Sequence, residues 1–375
     1  MLPAVPAGAA VARRPATPPV ARPPDDWDDF DEWDDDEWDE IPLRASLADR
    51  AAVELPGAWR VGVTSAFPYS GTTTLVGILG LVLAGARGQS VLAVDLRPSN
   101  WPTEDPNEPR GDALCPRVGL AGDVTVADVA RRRGDPPGTL RQLIGGQPPQ
   151  PPPGRPDTAD LDVLPLSRGD APPVAGSTAL VPTDDLVTPG MLRSALGQLT
   201  HAYPLVLLDA PVDAPLSPAA LRASDLVIVV SLAAPADLDR TAAALRDPAA
   251  PLLPIDREGR RPPVIVAVVS PRRGRWSPRT RAAAGRVAKQ VDGLVQIPYE
   301  SRLDPSKRAP VRIPRLRGTT RKAYLRLGVS VVEVLLRLAA EETAKAITRT
   351  TAKTHATQGD VTGRSTPETP RTPVI

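Results

Sequence analysis

The sequence predicts an α/β fold: a doubly wound, mainly parallel sheet of seven strands with helices on both faces, flanked by disordered termini. Three observations lead there. Seven short runs are apolar at almost every position, as strands covered on both faces must be. Segments of helical periodicity alternate with them. Finally, a chain of 375 residues that is 41% hydrophobic but only 3% aromatic packs its core from Ala, Val and Leu.

The first strand leads into the stretch around which the chain is organised, residues 61–86 (VGVTSAFPYSGTTTLVGILGLVLAGA). The β-branched entry at Val61 and Val63 gives way to a small-residue turn ending in Gly71, three threonines follow, and an apolar helical pattern starts at Leu75. Strand, loop and helix in this order aim backbone N–H groups and a helix N-terminus at one point, where an anion is stabilised. A phosphate-binding loop of this kind ends in Gly-Lys-Ser/Thr, the lysine reaching the outer phosphates and the hydroxyl ligating magnesium. Here the three residues are Gly71, Thr72 and Thr73, so the hydroxyl is present and the lysine is not. The five lysines of the chain are Lys289, Lys307, Lys322, Lys345 and Lys353, and no local shift of register brings one into the loop.

Residues 90–95 (SVLAVD) read as the second strand, ending in the carboxylate of Asp95. Residues 97–123 read as irregular, 124–133 as one short helix and 134–156 as a proline-dense inserted loop. The third strand is 161–166 (LDVLPL). Thr188 is an N-cap with Pro189 at the first helical position, opening a helix to about residue 202. The fourth strand, 205–209 (LVLLD), again ends in a carboxylate, that of Asp209. A short helix near 218–223 leads to the fifth strand, 225–231 (DLVIVVS), and a helix over 235–246 precedes a second Pro/Arg-rich insertion, 247–263. The sixth strand is 264–269 (VIVAVV); Ser277 and Pro278 repeat the cap-plus-proline start of a helix to about 291, and the seventh strand is 294–297 (LVQI), followed by Pro298. The last helix covers about 320–343, with Leu325, Val329, Val332, Leu336 and Ala339 as its core face. Sheets of this kind bind ligands beyond the C-terminal strand ends, where Gly71, Asp95, Asp209 and Ser231 fall.

The domain organisation follows from composition. Residues 1–56 are expected to be disordered, 57–345 to form the folded domain with insertions near 134–156 and 247–263, and 346–375 to be a disordered tail. A net charge of +1 conceals a sorting of charge: residues 25–40 (DDWDDFDEWDDDEWDE) hold 12 of the 44 acidic groups, which leaves 45 basic against 32 acidic groups elsewhere. Such a run cannot fold alone, because like charges repel and nothing offsets the lost chain entropy. It nevertheless holds three of the six tryptophans, and Trp27, Phe30 and Trp33 recur at helical spacing, which reads as a docking motif for a protein partner. Residues 272–326 carry 16 Arg and Lys against Asp292, Glu300 and Asp304, a surface for the phosphates of non-specifically bound DNA or for an acidic protein, with a merely solvated face as the plain alternative. The single Cys115 excludes an intramolecular disulfide and reads as a loop thiol. No uninterrupted apolar core follows a basic start at the N-terminus, and residues 75–86 are too short to span a bilayer, so no integral membrane segment and a cytoplasmic location are expected.

The pattern resembles the ParA/MinD-like (SIMIBI class) P-loop ATPases, which partition DNA, place division sites or serve secretion systems. Their loop reads S-x-K-G-G-x-G-K-T-T, and residues 65–74 (SAFPYSGTTT) align without a gap: Ser65, Gly71, Thr73 and Thr74 match, whereas Phe67 stands at the signature lysine and Thr72 at the phosphate-binding lysine. VLAVDLRPSN is similar to V-L-x-x-D-x-D-P-Q-x-N, with Arg97 in place of the second aspartate; YPLVLLDAP is similar to Y-D-x-V-x-I-D-x-P; and VQIPYESRL is similar to a segment with I-P-Y-D. The opening residues 65–68 also resemble the related bacterial tyrosine-kinase branch, which drops the signature lysine and keeps the other.

The resemblance implies an ATP and Mg²⁺ site. It places Ser70, Gly71, Thr72, Thr73 and Thr74 around the phosphates, Thr73 and Asp209 toward the metal, Asp95 and Asp209 at the catalytic carboxylate positions, and Ser270 and Pro298 near the base. It also implies a homodimer formed around nucleotide. In phosphoryl transfer the protein positions and neutralises charge, so losing the loop lysine costs on the order of a hundredfold to a thousandfold in rate. Two readings follow: a regulatory or scaffold component of a partition, division or type VII secretion-type system with a degenerate site, or an ATPase that takes its cation from elsewhere. Asp95 and Asp209 then either serve a magnesium nucleotide or merely terminate strands.

Overall fold

In the computed structural model of this protein, the described residues are 42–97, 114–120, 124–145, 161–166, 187–247, 261–304 and 310–361. The acidic tryptophan segment 25–40, residues 146–156 and 248–260 of the expected insertions and the last residues of the tail lie outside them.

Seven parallel strands form one sheet in the order β3-β2-β4-β1-β5-β6-β7. They are β1 (Trp59–Ser65), β2 (Val91–Asp95), β3 (Leu161–Pro165), β4 (Leu205–Asp209), β5 (Leu226–Leu232), β6 (Val264–Val269) and β7 (Gly293–Ile297). Each expected strand is present to within two residues. Alternation of side chains divides the core in two: Leu205 and Leu207 of β4 face one apolar cluster, and Val206 and Leu208 face the other. Helices cover both, which is why these strands are apolar at almost every position.

The first cluster is roofed by α2 (Thr72–Arg87) and α10 (Gly318–Val361), the second by α6 (Pro189–Ala202), α8 (Pro235–Arg246) and α9 (Pro278–Ala288). The remaining helices are α1 (Pro42–Ala52), α3 (Leu114–Val118), α4 (Val126–Arg131), α5 (Pro137–Gly145) and α7 (Ser217–Arg222). The expected caps are made: the Thr188 hydroxyl accepts from Met191 N–H and the Ser277 hydroxyl from Thr280 N–H, each with proline at the start of its helix. Helix α4 adds a reciprocal capping box between Thr125 and Asp128.

Four expectations are corrected. The region expected to be disordered to residue 56 contains α1, an 11-residue helix too short to persist alone. Leu47 and Ala51 pack on Val329 of α10, and the buried Arg87 guanidinium donates to the carbonyl oxygens of Ala51 (3.5 Å) and Val53 (2.6 Å), which lie at and beyond the end of α1. The proline-dense stretch from 134 contains α5, held by burial of Leu140. The segment 97–123, expected to be irregular, contains α3, so Cys115 lies in a helix. Helix α10 runs to Val361, through residues expected to be tail. Its fully buried apolar residues are Leu327, Val331, Val332 and Leu335, with Tyr324 nearly so; of the expected stripe, Val332, Leu336 and Ala339 join the cluster under the sheet, whereas Leu325 and Val329 face α1. The helix carries two apolar faces because two neighbours cover it.

Candidate functional site

The chain reverses direction in the sheet at β1, with β4 on one side and β5 on the other. The loop leaving β1 therefore opens at the C-terminal edge of the sheet, where such a reversal leaves a crevice. Two hydroxyls close this loop on itself: Ser65 Oγ donates to the Phe67 carbonyl at 2.6 Å and Ser70 Oγ donates to the same oxygen at 2.8 Å. The backbone passes twice through the left-handed region, at Tyr69 (φ 62°) and Gly71 (φ 88°). Glycine takes that conformation freely; tyrosine does so at a cost of about 1 kcal/mol or more. Helix α2 then starts at Thr72, and the first bond of its ladder runs from Leu75 N–H to the Gly71 carbonyl at 2.9 Å. The N–H groups of Gly71, Thr72 and Thr73 have no acceptor among the described residues, the arrangement that receives an anion.

Asp95 and Asp209 end neighbouring strands in direct register. Both are buried, Asp209 completely. Thr73 Oγ1 donates to Asp209 Oδ2 at 2.5 Å, and the buried Thr72 side chain stands beside the same carboxylate. Asp209 Oδ1 is buried with no partner. Asp95 accepts from the N–H of Leu114 at 2.9 Å and from the N–H of Arg97 at 2.9 Å. Burial, and then the charge of Asp95, push the Asp209 carboxyl up to about 7, against the pull of the two hydroxyls and of Arg97. Burial likewise raises Asp95 above the usual carboxylate range, opposed by its two N–H donors and the Arg97 charge. The Cys115 thiol, on α3 beside Asp95, is pushed up to about 11 by burial and by that carboxylate, so it stays protonated at neutral pH.

The donor set fits a magnesium-bound polyphosphate. An unpartnered Asp209 oxygen beside the Thr73 hydroxyl offers two oxygen donors to a hard cation, and the free N–H groups of the loop offer donors to phosphate. Among the described residues no group of three or more His, Cys, Asp or Glu stands together, so a magnesium ion here would complete its shell with water and phosphate oxygens. Such an ion neutralises phosphate charge.

Of the residues singled out from the sequence, Thr72, Thr73, Asp95 and Asp209 converge, while Ser70 is spent closing the loop and Thr74 is half-buried in the first turn of α2. Ser270 and Pro298 follow β6 and β7, beyond β5 from the loop. Ser270 N–H bonds the Ile297 carbonyl at 2.9 Å, and its hydroxyl accepts from the Trp276 indole at 3.1 Å. The contact of Leu114 with Asp95 was missed, because nothing in residues 97–123 announces a five-residue helix. Among the described residues no helix is long and apolar enough to cross a membrane.

No protein-family model matches the chain, and no curated protein matches it. Solved structures do. A ParA family ATPase from Chlorobium tepidum TLS matches at 14% identity over 73% of this chain and 98% of its own, with a TM-score of 0.47. The cell division ATPase MinD of Pyrococcus furiosus matches at 19% identity over 74% and 99%, with a TM-score of 0.45. The MinC:MinD cell division protein complex of Aquifex aeolicus contributes a chain at 17% identity over 76% and 96%, with a TM-score of 0.47. In fold, this chain is similar to the ParA and MinD ATPases.

Proposed function

We propose that this chain is a ParA/MinD-like protein with a degenerate nucleotide site, one that binds ATP and Mg²⁺ weakly or not at all, cleaves ATP very slowly or not at all, and acts as a regulatory or scaffold component of a partition, cell-division or type VII secretion-type system. One observation carries the reading: at position 72, where transfer of a phosphoryl group calls for an ammonium, stands the buried, uncharged side chain of a threonine beside Asp209. In this reading Gly71, Thr72 and Thr73 offer N–H groups to phosphate, with Ser70 and Thr74 flanking them. Thr73 and Asp209 hold the metal, Asp95 and Asp209 occupy the catalytic carboxylate positions, and Ser270 and Pro298 border the base. The acidic tryptophan segment 25–40 is the docking motif for a protein partner, and residues 272–326 are the surface for non-specific DNA. The folded domain is assigned to 57–345 together with α1.

A second reading, an ATPase that dimerises around nucleotide, draws on the convergence of Thr73, Asp95 and Asp209 beneath a loop with free N–H groups. A turnover assay on the wild type and Thr72→Lys separates the two. The degenerate-site reading expects no turnover above background in the wild type. Hydrolysis at rates ordinary for P-loop ATPases removes it.

A further inference from the structure

We propose that Arg97 supplies, from the end of β2, the positive charge that the loop after β1 lacks, and that the site thereby takes a polyphosphate chain such as that of a nucleoside triphosphate. This rests on the reading of the loop as a phosphate cradle. Three contacts fix where Arg97 starts. Asp95 lies opposite Asp209, Leu96 N–H donates to the Asp209 carbonyl at 3.1 Å, and Arg97 N–H donates to Asp95 Oδ1 at 2.9 Å. The chain is thus pinned across the end of β4 just as the arginine side chain departs. From the other side, the Thr73 hydroxyl at 2.5 Å ties the first turn of α2 to the same Asp209 carboxylate. Arg97 leaves the end of β2 and the loop leaves the end of β1, the two strands that flank β4 and its Asp209.

The guanidinium is not consumed by the carboxylates near it. Its Nε is buried and meets no acceptor, and it forms no ion pair with Asp95 or Asp209 among the described residues. A charged donor in that state carries an unrelieved desolvation penalty, which an anionic oxygen removes. Its charge is nonetheless felt at both Asp95 and Asp209, and no other cation among the described residues acts on either. An arginine presents a planar fork of donors suited to phosphate oxygens, whereas a loop lysine acts as a point charge. The exchange leaves phosphate binding in place while moving the cation away from the first turn of α2.

The test is a calorimetric titration of the full chain with Mg·ATP and, separately, with inorganic tripolyphosphate in EDTA. Arg97→Ala is expected to weaken both about tenfold to a hundredfold, and Arg97→Lys to fall between it and the wild type. Adding Thr72→Lys to Arg97→Ala restores affinity for both probes, a rescue that a merely structural arginine would not allow. Should Arg97→Ala fail to fold by circular dichroism, Arg97→Gln takes its place. Affinity unchanged in the folded variant, no rescue by Thr72→Lys, or no binding of either probe by the wild type at millimolar concentration overturns the proposal. Turnover measured alongside tests the degenerate-site reading by itself, since ordinary hydrolysis by the wild type removes that reading and leaves the affinity comparison standing.

Discussion

Asp95 and Asp209 stand opposite one another on adjacent parallel strands, both buried, and neither forms an ion pair among the described residues. Two carboxylates in this position cannot both ionise cheaply, and the cost appears as a pH dependence of stability. Asp209 holds its proton in the folded state up to about 7, against 3.8 for an ordinary aspartate. Between those values the native chain binds a proton that the unfolded chain has released, so the contribution is fully present below the unfolded value and is lost as pH rises through 7. At about 1.4 kcal/mol per unit the difference amounts to a few kcal/mol. In EDTA and without nucleotide, urea unfolding is expected to show lower stability at pH 8 than at pH 5.5. Asp209→Asn, which keeps an acceptor for Thr73, flattens the profile and raises stability at pH 8. A wild type that gains stability across this window contradicts the assignment.

Helix α1 is held by a few contacts, of which the Arg87 guanidinium on the carbonyl oxygens of Ala51 and Val53 is the one a single substitution removes. Arg87→Ala leaves those oxygens without their donor, a loss of about 1 to 3 kcal/mol. Because α1 cannot persist unpacked, the loss should show first as local opening. Trypsin cleavage at Arg50, which is paired with Glu333 on α10, is expected to accelerate several-fold, well before global unfolding. Equal cleavage rates in wild type and variant would show that packing of Leu47 and Ala51 alone suffices.

The strands were legible because each is apolar at almost every position, and the capped helices were legible because Thr188-Pro189 and Ser277-Pro278 are local signals. What escaped depends on partners distant in sequence. Helix α1 exists through Val329 and Arg87, which lie far along the chain, so that Leu325 and Val329, expected on the core face of α10, pack on a neighbour that the sequence did not announce. In the site, Thr73 and Asp209 could be paired by motif, but the use of Ser70 to close the loop and the donation of Leu114 N–H to Asp95 depend on backbone geometry that no spacing encodes.

Gly62, in the strand that feeds the loop, lies under α7. A Cβ there would come within 2.6 Å of Ser224 Oγ and 2.9 Å of a Leu221 methyl. Gly62→Ala makes the Ser224 hydroxyl and the Leu221 methyl give way, and overpacking of this kind costs about 1 to 3 kcal/mol. The double variant Gly62→Ala with Ser224→Gly removes the nearer obstacle and is expected to recover part of the loss in urea unfolding midpoint. A Gly62→Ala protein as stable as the wild type would mean that the Ser224 and Leu221 side chains rotate aside freely, and the position would then say nothing about how the strand end is fixed.

Net charge gives the last prediction, and it concerns nucleic acid. The first forty residues contain 12 acidic groups and three arginines, so their removal takes the formal charge of the chain from +1 to +10. Non-specific binding to DNA is driven by release of counterions from phosphates and scales with the number of cationic contacts, so it is steep in salt. If residues 272–326 form the DNA surface, deletion of residues 1–40 should tighten binding to a random duplex at low salt, since a remote acidic segment repels the polyanion within a Debye length of about 10 Å at 0.1 M. Replacing Arg272, Arg273 and Arg275, exposed on the loop before α9, by alanine in the shortened chain should then weaken binding and lower the salt slope by roughly one unit per lost contact. Fluorescence anisotropy across 50 to about 200 mM salt reads both effects. An affinity that ignores the deletion, together with a slope that ignores the arginines, would assign this charge to a solvated face and leave DNA out of the protein's biology.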